Sequence, residues 1–133
     1  MYKLILLVRE LRQKGAFKVS TRLLLLFLLV LGLWGATTPL DHTPISRFND
    51  KFIHMTVFAG FAFLMDLATA RKPFWLWKGL PLLMYGVVIE VLQNFTAYRS
   101  FELADIAADA FGITLYYMLK FSLRWLAVGE LKT

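Results

Sequence analysis

Residues 89–109 read IEVLQNFTAYRSFELADIAAD, and on both sides of them the chain is almost wholly apolar. Glu90, Arg99, Glu102, Asp105 and Asp109 fall inside this one segment, with Gln93 and Asn94 beside them. Such a segment is either a solvated linker or the turn between two membrane helices. What flanks it decides between the two.

The chain has 133 residues, of which 59% are hydrophobic, and its mean hydropathy is +0.60. One domain, 1–133, is the natural division at this length. A soluble chain this short has too little interior for so many apolar side chains, and a bilayer takes the excess. Cysteine is absent, which excludes disulfides, thiolate metal sites and a cysteine nucleophile. The net charge of +6 is spread in short clusters between apolar runs. No zinc pattern, strand-borne aromatics or recognition helix accompanies it, so no nucleic-acid partner is expected.

Outward from the opening segment, the periodicity predicts an all-α polytopic membrane protein with four transmembrane helices, at 22–38, 51–70, 75–94 and 102–121. The first lies within LLLLFLLVLGLWGATTPL, 18 uncharged residues at 23–40, which is long enough to span. The small residues Gly35 and Ala36 would also suit a signal peptide, but the preceding segment is too long for an ordinary basic n-region. That segment, 1–21, places Leu4, Ile5, Leu7, Val8 and Leu11 at helical spacing, and reads as an amphipathic interfacial helix. Residues 37–49, with Pro39 and Pro44, read as a loop. Trp75 and Trp77 suit an interfacial belt, and Pro81 falls in early turns where proline costs less. Ser100 is placed to cap the last helix, with Glu102 in its first turn.

Lys and Arg set the orientation. Twelve of them fall in the N-terminal segment, the second connection and the C-terminal part, and only Arg47, Lys51 and Arg99 fall on the other side. The expectation is a bacterial inner-membrane protein with both ends of the chain cytoplasmic. Three helices then aim polar faces at one outer leaflet: Asp50 and His54 (i, i+4), Glu90 and Gln93 (i, i+3), Asp105 and Asp109 (i, i+4). At ~1.5 Å per residue Glu90 lies only about 6 Å inside its helix end and Asp109 about 10 Å, shallow enough for a cavity open outward. Asp66, at the other end near Arg71, reads as an interfacial residue.

The pattern DKFIH (50–54), YGVVIEVLQ (85–93), Arg99 and D-x-x-x-D-x-x-G (105–112) resembles the VanZ-like family of small bacterial membrane proteins. The resemblance covers about residues 40–120. Asp50, Lys51, His54, Glu90, Gln93, Arg99, Asp105 and Gly112 match the family pattern, and Asp109 stands where the family usually has Asn. It implies a role at the cell envelope, the founding type being linked to resistance to the glycopeptide teicoplanin, and it supplies no established reaction.

Ionisable groups inside a bilayer point to function unless they pair off into a network that only fixes helix register. Both readings stand. As an enzyme on a lipid-linked envelope substrate, the chain would use His54, Glu90 and Asp105 as catalytic candidates. His54 would serve as base or acid, oriented by Asp50 or Asp105. Asp50, Lys51, Gln93, Arg99 and Asp109 would bind substrate, with Arg99 suited to phosphate or carboxylate. No cofactor motif is evident. A divalent cation among Glu90, Asp105, Asp109 and His54 is a second version. A non-catalytic binder or transporter of an envelope lipid, glycopeptide or ion is a third. Four helices leave little room for a full path without a homo-oligomer, so the expected partners are membrane lipids and an envelope ligand.

Overall fold

In the computed structural model, which describes residues 6, 7, 10, 14–38, 44–97 and 99–129, every element is helical. The helices are α1 (Gly15–Ala36), α2 (Pro44–Ala68), α3 (Leu80–Asn94, entered through a π turn at Trp75–Gly79) and α4 (Leu103–Gly129). Three stretches, Gly15–Ala36, Asp50–Ala68 and Trp75–Asn94, are long and apolar enough to cross a membrane. The fourth helix has the length but also carries Asp105, Asp109, Lys120 and Arg124.

The helix ends follow from local chemistry. α1 stops where Thr37 and Thr38 turn their hydroxyls back onto the carbonyls of Leu33 (2.9 Å) and Trp34 (2.7 Å). These satisfy two of the acceptors a helix leaves open at its C-terminal end, and Pro39 follows. The loop expected over 37–49 is shorter than read, because α2 already begins at Pro44. Proline is pre-set for a first helical turn, where its missing N–H costs nothing. Pro81 explains the π turn. It has no N–H for the Trp77 carbonyl and its ring crowds that carbonyl. The preceding turn is widened, and the Leu80 N–H donates to the Trp75 carbonyl, five residues back.

The N-terminal reading divides. Most of 1–14 lies outside the described residues, whereas 15–21 are not a separate surface helix but the first turns of α1. The last helix runs to Gly129 rather than 121, and it starts at Leu103, three residues beyond Ser100. Ser100 is therefore not its cap.

Successive helices run antiparallel, as the side-chain ties between their ends require. Arg22 Nε donates to the Ala68 carbonyl (3.1 Å), joining the start of α1 to the end of α2. At the opposite end Gln93 Nε2 donates to the Ala36 carbonyl (3.0 Å). Between them the buried core holds Leu25, Phe58, Phe61, Ala62, Leu82, Ile89 and Ile113. Phe58 and Phe61 meet edge to face with ring centres 5.6 Å apart, and Tyr85 packs on both at 6.0 Å. The Tyr85 hydroxyl donates to the Leu29 carbonyl at 2.6 Å, as a buried phenol requires.

The most extensive helix pair is α2 with α4. Gly112 makes it possible: a β-carbon there would run into the backbone of Met55, 2.9 Å from its carbonyl carbon and closer to the oxygen. The outer surface is apolar. On α1, Leu23, Phe27, Val30 and Trp34 are each more than 60% exposed, and only 11% of the helix's most apolar window is buried within the molecule. Side chains of this kind need a hydrocarbon neighbour, which lipid supplies.

Candidate functional site

The ends of α2, α3 and α4 that hold Asp50, Asn94 and Leu103 meet in a layered polar cluster. At its rim Lys51 Nζ donates to Glu102 Oε2 (2.9 Å) and Asp105 Oδ1 (2.8 Å), with the Lys51 side chain 39% exposed. Arg99, in the turn between α3 and α4, grips Asp50 with both terminal nitrogens, Nη1 to Oδ2 at 3.1 Å and Nη2 to Oδ1 at 3.3 Å. This two-pronged geometry is the one a planar guanidinium favours.

The floor lies one helical turn deeper. His54 Nδ1 sits 2.9 Å from Asp109 Oδ1, across the α2–α4 interface. An ionised carboxylate only accepts, so with Asp109 ionised the Nδ1–H donates and Nε2 carries the lone pair. The sequence reading gave the orienting role to Asp50 or Asp105, and the geometry gives it to Asp109. Asp50 and Asp105 are nonetheless close, since one oxygen of each and one ring nitrogen of His54 all lie within 4.8 Å of one another. The His54 ring stacks on Phe58, at an interplanar angle of 7° and with centres 6.4 Å apart.

Glu90 is completely buried, and its Oε2 accepts the backbone N–H of Glu102 at 3.0 Å. A carboxylate from α3 thus takes the place at the head of α4 that Ser100 was expected to fill. Negative charge is favourable there because the first N–H groups of a helix point at it. Asp109 is also completely buried, and Gly86 makes room for it: a β-carbon at 86 would collide with Asp109 Oδ2 and lie 3.2 Å from the Phe58 ring. Gly86 serves the site's floor rather than a close helix crossing.

Seven of the eight sequence-predicted residues, Asp50, Lys51, His54, Glu90, Arg99, Asp105 and Asp109, belong to this cluster. Gln93 is buried but turns its amide to the end of α1. Glu102, counted from sequence among the acids of this segment and as a favourable charge near the helix start, joins the cluster through Lys51 and through its own N–H.

The charge balance is uneven. Among the described side chains, five carboxyl groups (Asp50, Glu90, Glu102, Asp105 and Asp109) face two permanent cations, Lys51 and Arg99. Two buried oxygens among the described residues, Glu90 Oε1 and Asp109 Oδ2, have no hydrogen-bond partner. Both belong to the floor. An unpaired buried carboxylate oxygen is costly to the fold.

A second node lies at the opposite end. Asp66, read from sequence as an interfacial residue, is buried within the bundle at only 3% exposed. Its Oδ1 accepts from Lys78 and from Lys120 (2.7 Å), and its Oδ2 accepts the Tyr116 hydroxyl (3.0 Å). Lys78 and Lys120, counted by sequence as flanking charge, are thus spent on a partner inside the bundle. Lys78 standing alone in an apolar run, and Tyr116 with Lys120 one turn apart, were the available signals. Comparison with protein-family models, with curated proteins and with solved structures finds no match to this chain.

Proposed function

We propose that the chain is a VanZ-like integral membrane protein of the bacterial cell envelope. In this reading it crosses the inner membrane four times with both ends cytoplasmic, and it acts on a lipid-linked envelope substrate from the outer side. The observation that carries the proposal is the His54–Asp109 pair, buried beneath Arg99 and Lys51. Asp109 fixes the imidazole tautomer, which leaves Nε2 as a base for a hydroxyl or water. Of the five guanidinium N–H groups of Arg99, Asp50 takes two, and of the three on Lys51, the carboxylates take two. The remaining donors suit a phosphate or carboxylate at the rim. The resemblance adds the link to glycopeptide resistance of the teicoplanin type.

α4 is read as the fourth span because its acids and Lys120 are paired within the bundle, which lowers the cost of placing them at membrane depth. Orientation rests on the Lys and Arg count. With Lys78 and Lys120 set aside as partners of Asp66, the split is still ten to three.

The test is turnover of a labelled lipid-linked substrate by the reconstituted protein, together with teicoplanin susceptibility of cells that express it. H54Q and E90A should each abolish the effect while the protein remains in the membrane. Full activity in both variants sinks the catalytic reading, and binding without turnover replaces it with a non-catalytic binder.

A second reading is favoured by the two orphan oxygens and by the approach of Asp50, His54 and Asp105. A divalent cation would supply the missing positive charge, and this mixed carboxylate–imidazole set suits a hard or borderline metal. Metal analysis of purified protein, with activity measured in the presence of a chelator, decides it. No bound metal and unchanged activity would remove the cation.

A further inference from the structure

Far from the polar cluster, a groove of about 410 Å³ runs between α1 and the end of α2, lined by Leu25, Leu29, Met65 and Trp77 among others. That volume lies within the range of about 300–1,000 Å³ typical of small-molecule sites. Arg22 and Arg71 stand on its wall. Neither has a carboxylate within ion-pair distance among the described residues, whereas Lys51, Lys78, Arg99 and Lys120 each have one. Both guanidinium groups are held in place. Arg22 gives its Nε–H to the Ala68 carbonyl at 3.1 Å, and Arg71 lies over the Trp77 ring, 4.6 Å from its centre. These ties leave the terminal nitrogens of Arg22 and the whole hydrogen-bonding edge of Arg71 for another acceptor.

We propose that this groove binds one anionic membrane phospholipid, with its phosphate on Arg22 and Arg71 and an acyl chain along Leu25, Leu29 and Met65. Charge complementarity selects the headgroup, because two fixed guanidinium groups without counter-ions suit a phosphate diester. The apolar remainder selects a lipid over a soluble phosphate. Basic pockets between membrane helices recognise anionic headgroups in this way. The site depends neither on the polar cluster nor on the orientation proposed above.

The experiment uses the full chain in nanodiscs of phosphatidylcholine, with or without phosphatidylglycerol, and native mass spectrometry to count retained lipid. Wild type is expected to keep one phosphatidylglycerol, against at least tenfold less phosphatidylcholine. R71Q should lose that preference. So should L26W, which places an indole on the groove wall from an exposed position and leaves both arginines untouched. K18Q, one turn away on α1 and outside the groove, should retain it. Retention of phosphatidylglycerol by both R71Q and L26W overturns the proposal. Displacement of the lipid by inorganic phosphate alone overturns the lipid assignment, and a dimer in detergent that L26W dissolves overturns it in favour of a second copy of the chain.

Discussion

Replacing Gly112 with Ala adds one methyl group at the point where α2 and α4 come closest. The added carbon would lie 2.9 Å from the Met55 carbonyl carbon and 3.1 Å from the Ala59 nitrogen, and closer still to the Met55 oxygen. Carbon atoms in contact prefer about 3.5–4.0 Å, so the two helices must part by roughly 1 Å, since neither obstacle is a side chain that can swing aside. His54–Asp109 at 2.9 Å and Lys51–Asp105 at 2.8 Å bridge the same two helices. Such a movement would stretch both past the usual limit of about 3.2 Å. Overpacking of this kind costs about 1–3 kcal/mol. The better helix propensity of alanine returns at most about 1 kcal/mol. G60A is the control, because a β-carbon at Gly60, also on α2, meets nothing within 4 Å. Thermal unfolding in detergent should place G112A clearly below wild type and G60A level with it or slightly above. A G112A protein that melts with G60A would refute the close-crossing argument.

Three further outcomes can be measured in the same preparation. D66N removes the negative charge shared by Lys78 and Lys120 and leaves a buried ammonium without a counter-ion, so unfolding should become easier by about 3–5 kcal/mol. R99D should destabilise the fold, and adding D50R should restore part of the loss. The coupling expected for residues in direct contact is about 0.5–3 kcal/mol, and simple additivity in the double-mutant cycle would show the pair to be idle. E90Q keeps an oxygen for the Glu102 N–H, puts an amide nitrogen in place of the unpaired Oε1 and removes any buried charge there, so its unfolding midpoint should equal or exceed that of wild type. E90A should lose about 1–3 kcal/mol by stranding that N–H, and an E90Q midpoint as low as that of E90A would show that the negative charge itself holds the fold.

Much of the site was legible because helical spacing and strand-free topology leave few choices. Once 89–109 is read as a turn between two helices, Glu90, Asp105 and Asp109 must face each other, and Asp50 with His54 must come from the helix alongside. Which groups actually pair was not legible. His54 meets Asp109 rather than Asp50 or Asp105 because Gly112 lets α2 and α4 approach closely, which sets the rotation of the two faces. Gln93 shares a face with Glu90 in sequence, yet it is drawn to the open carbonyl at the end of α1. The helix ends were misread for a similar reason. Pro44 opens α2 instead of breaking a loop, and Glu90, distant in sequence, takes the capping role that local rules assign to Ser100. The Asp66 node was hidden because Lys78 and Lys120 look like flanking charges when each is considered alone.

The two polar nodes separate register from chemistry. Asp50 and Asp66 are both on α2, about 24 Å apart at 1.5 Å per residue, and each node ties α2 to α4. Lys51 and His54 reach Asp105 and Asp109 at one end, and Asp66 takes Lys120 and Tyr116 at the other, with Gly112 against Met55 between them. A slide of one turn, about 5.4 Å, would break all of these at once. One closed node would have been enough to lock the pair. The Asp66 node is closed, since both carboxylate oxygens have donors. The other node uses five carboxyl groups and still leaves Glu90 Oε1 and Asp109 Oδ2 without partners in complete burial. A lock on helix register alone gives no reason for those two partnerless buried oxygens. The two partnerless oxygens distinguish the Asp50 end from the closed Asp66 node, and the proposal of a bound group there rests on them.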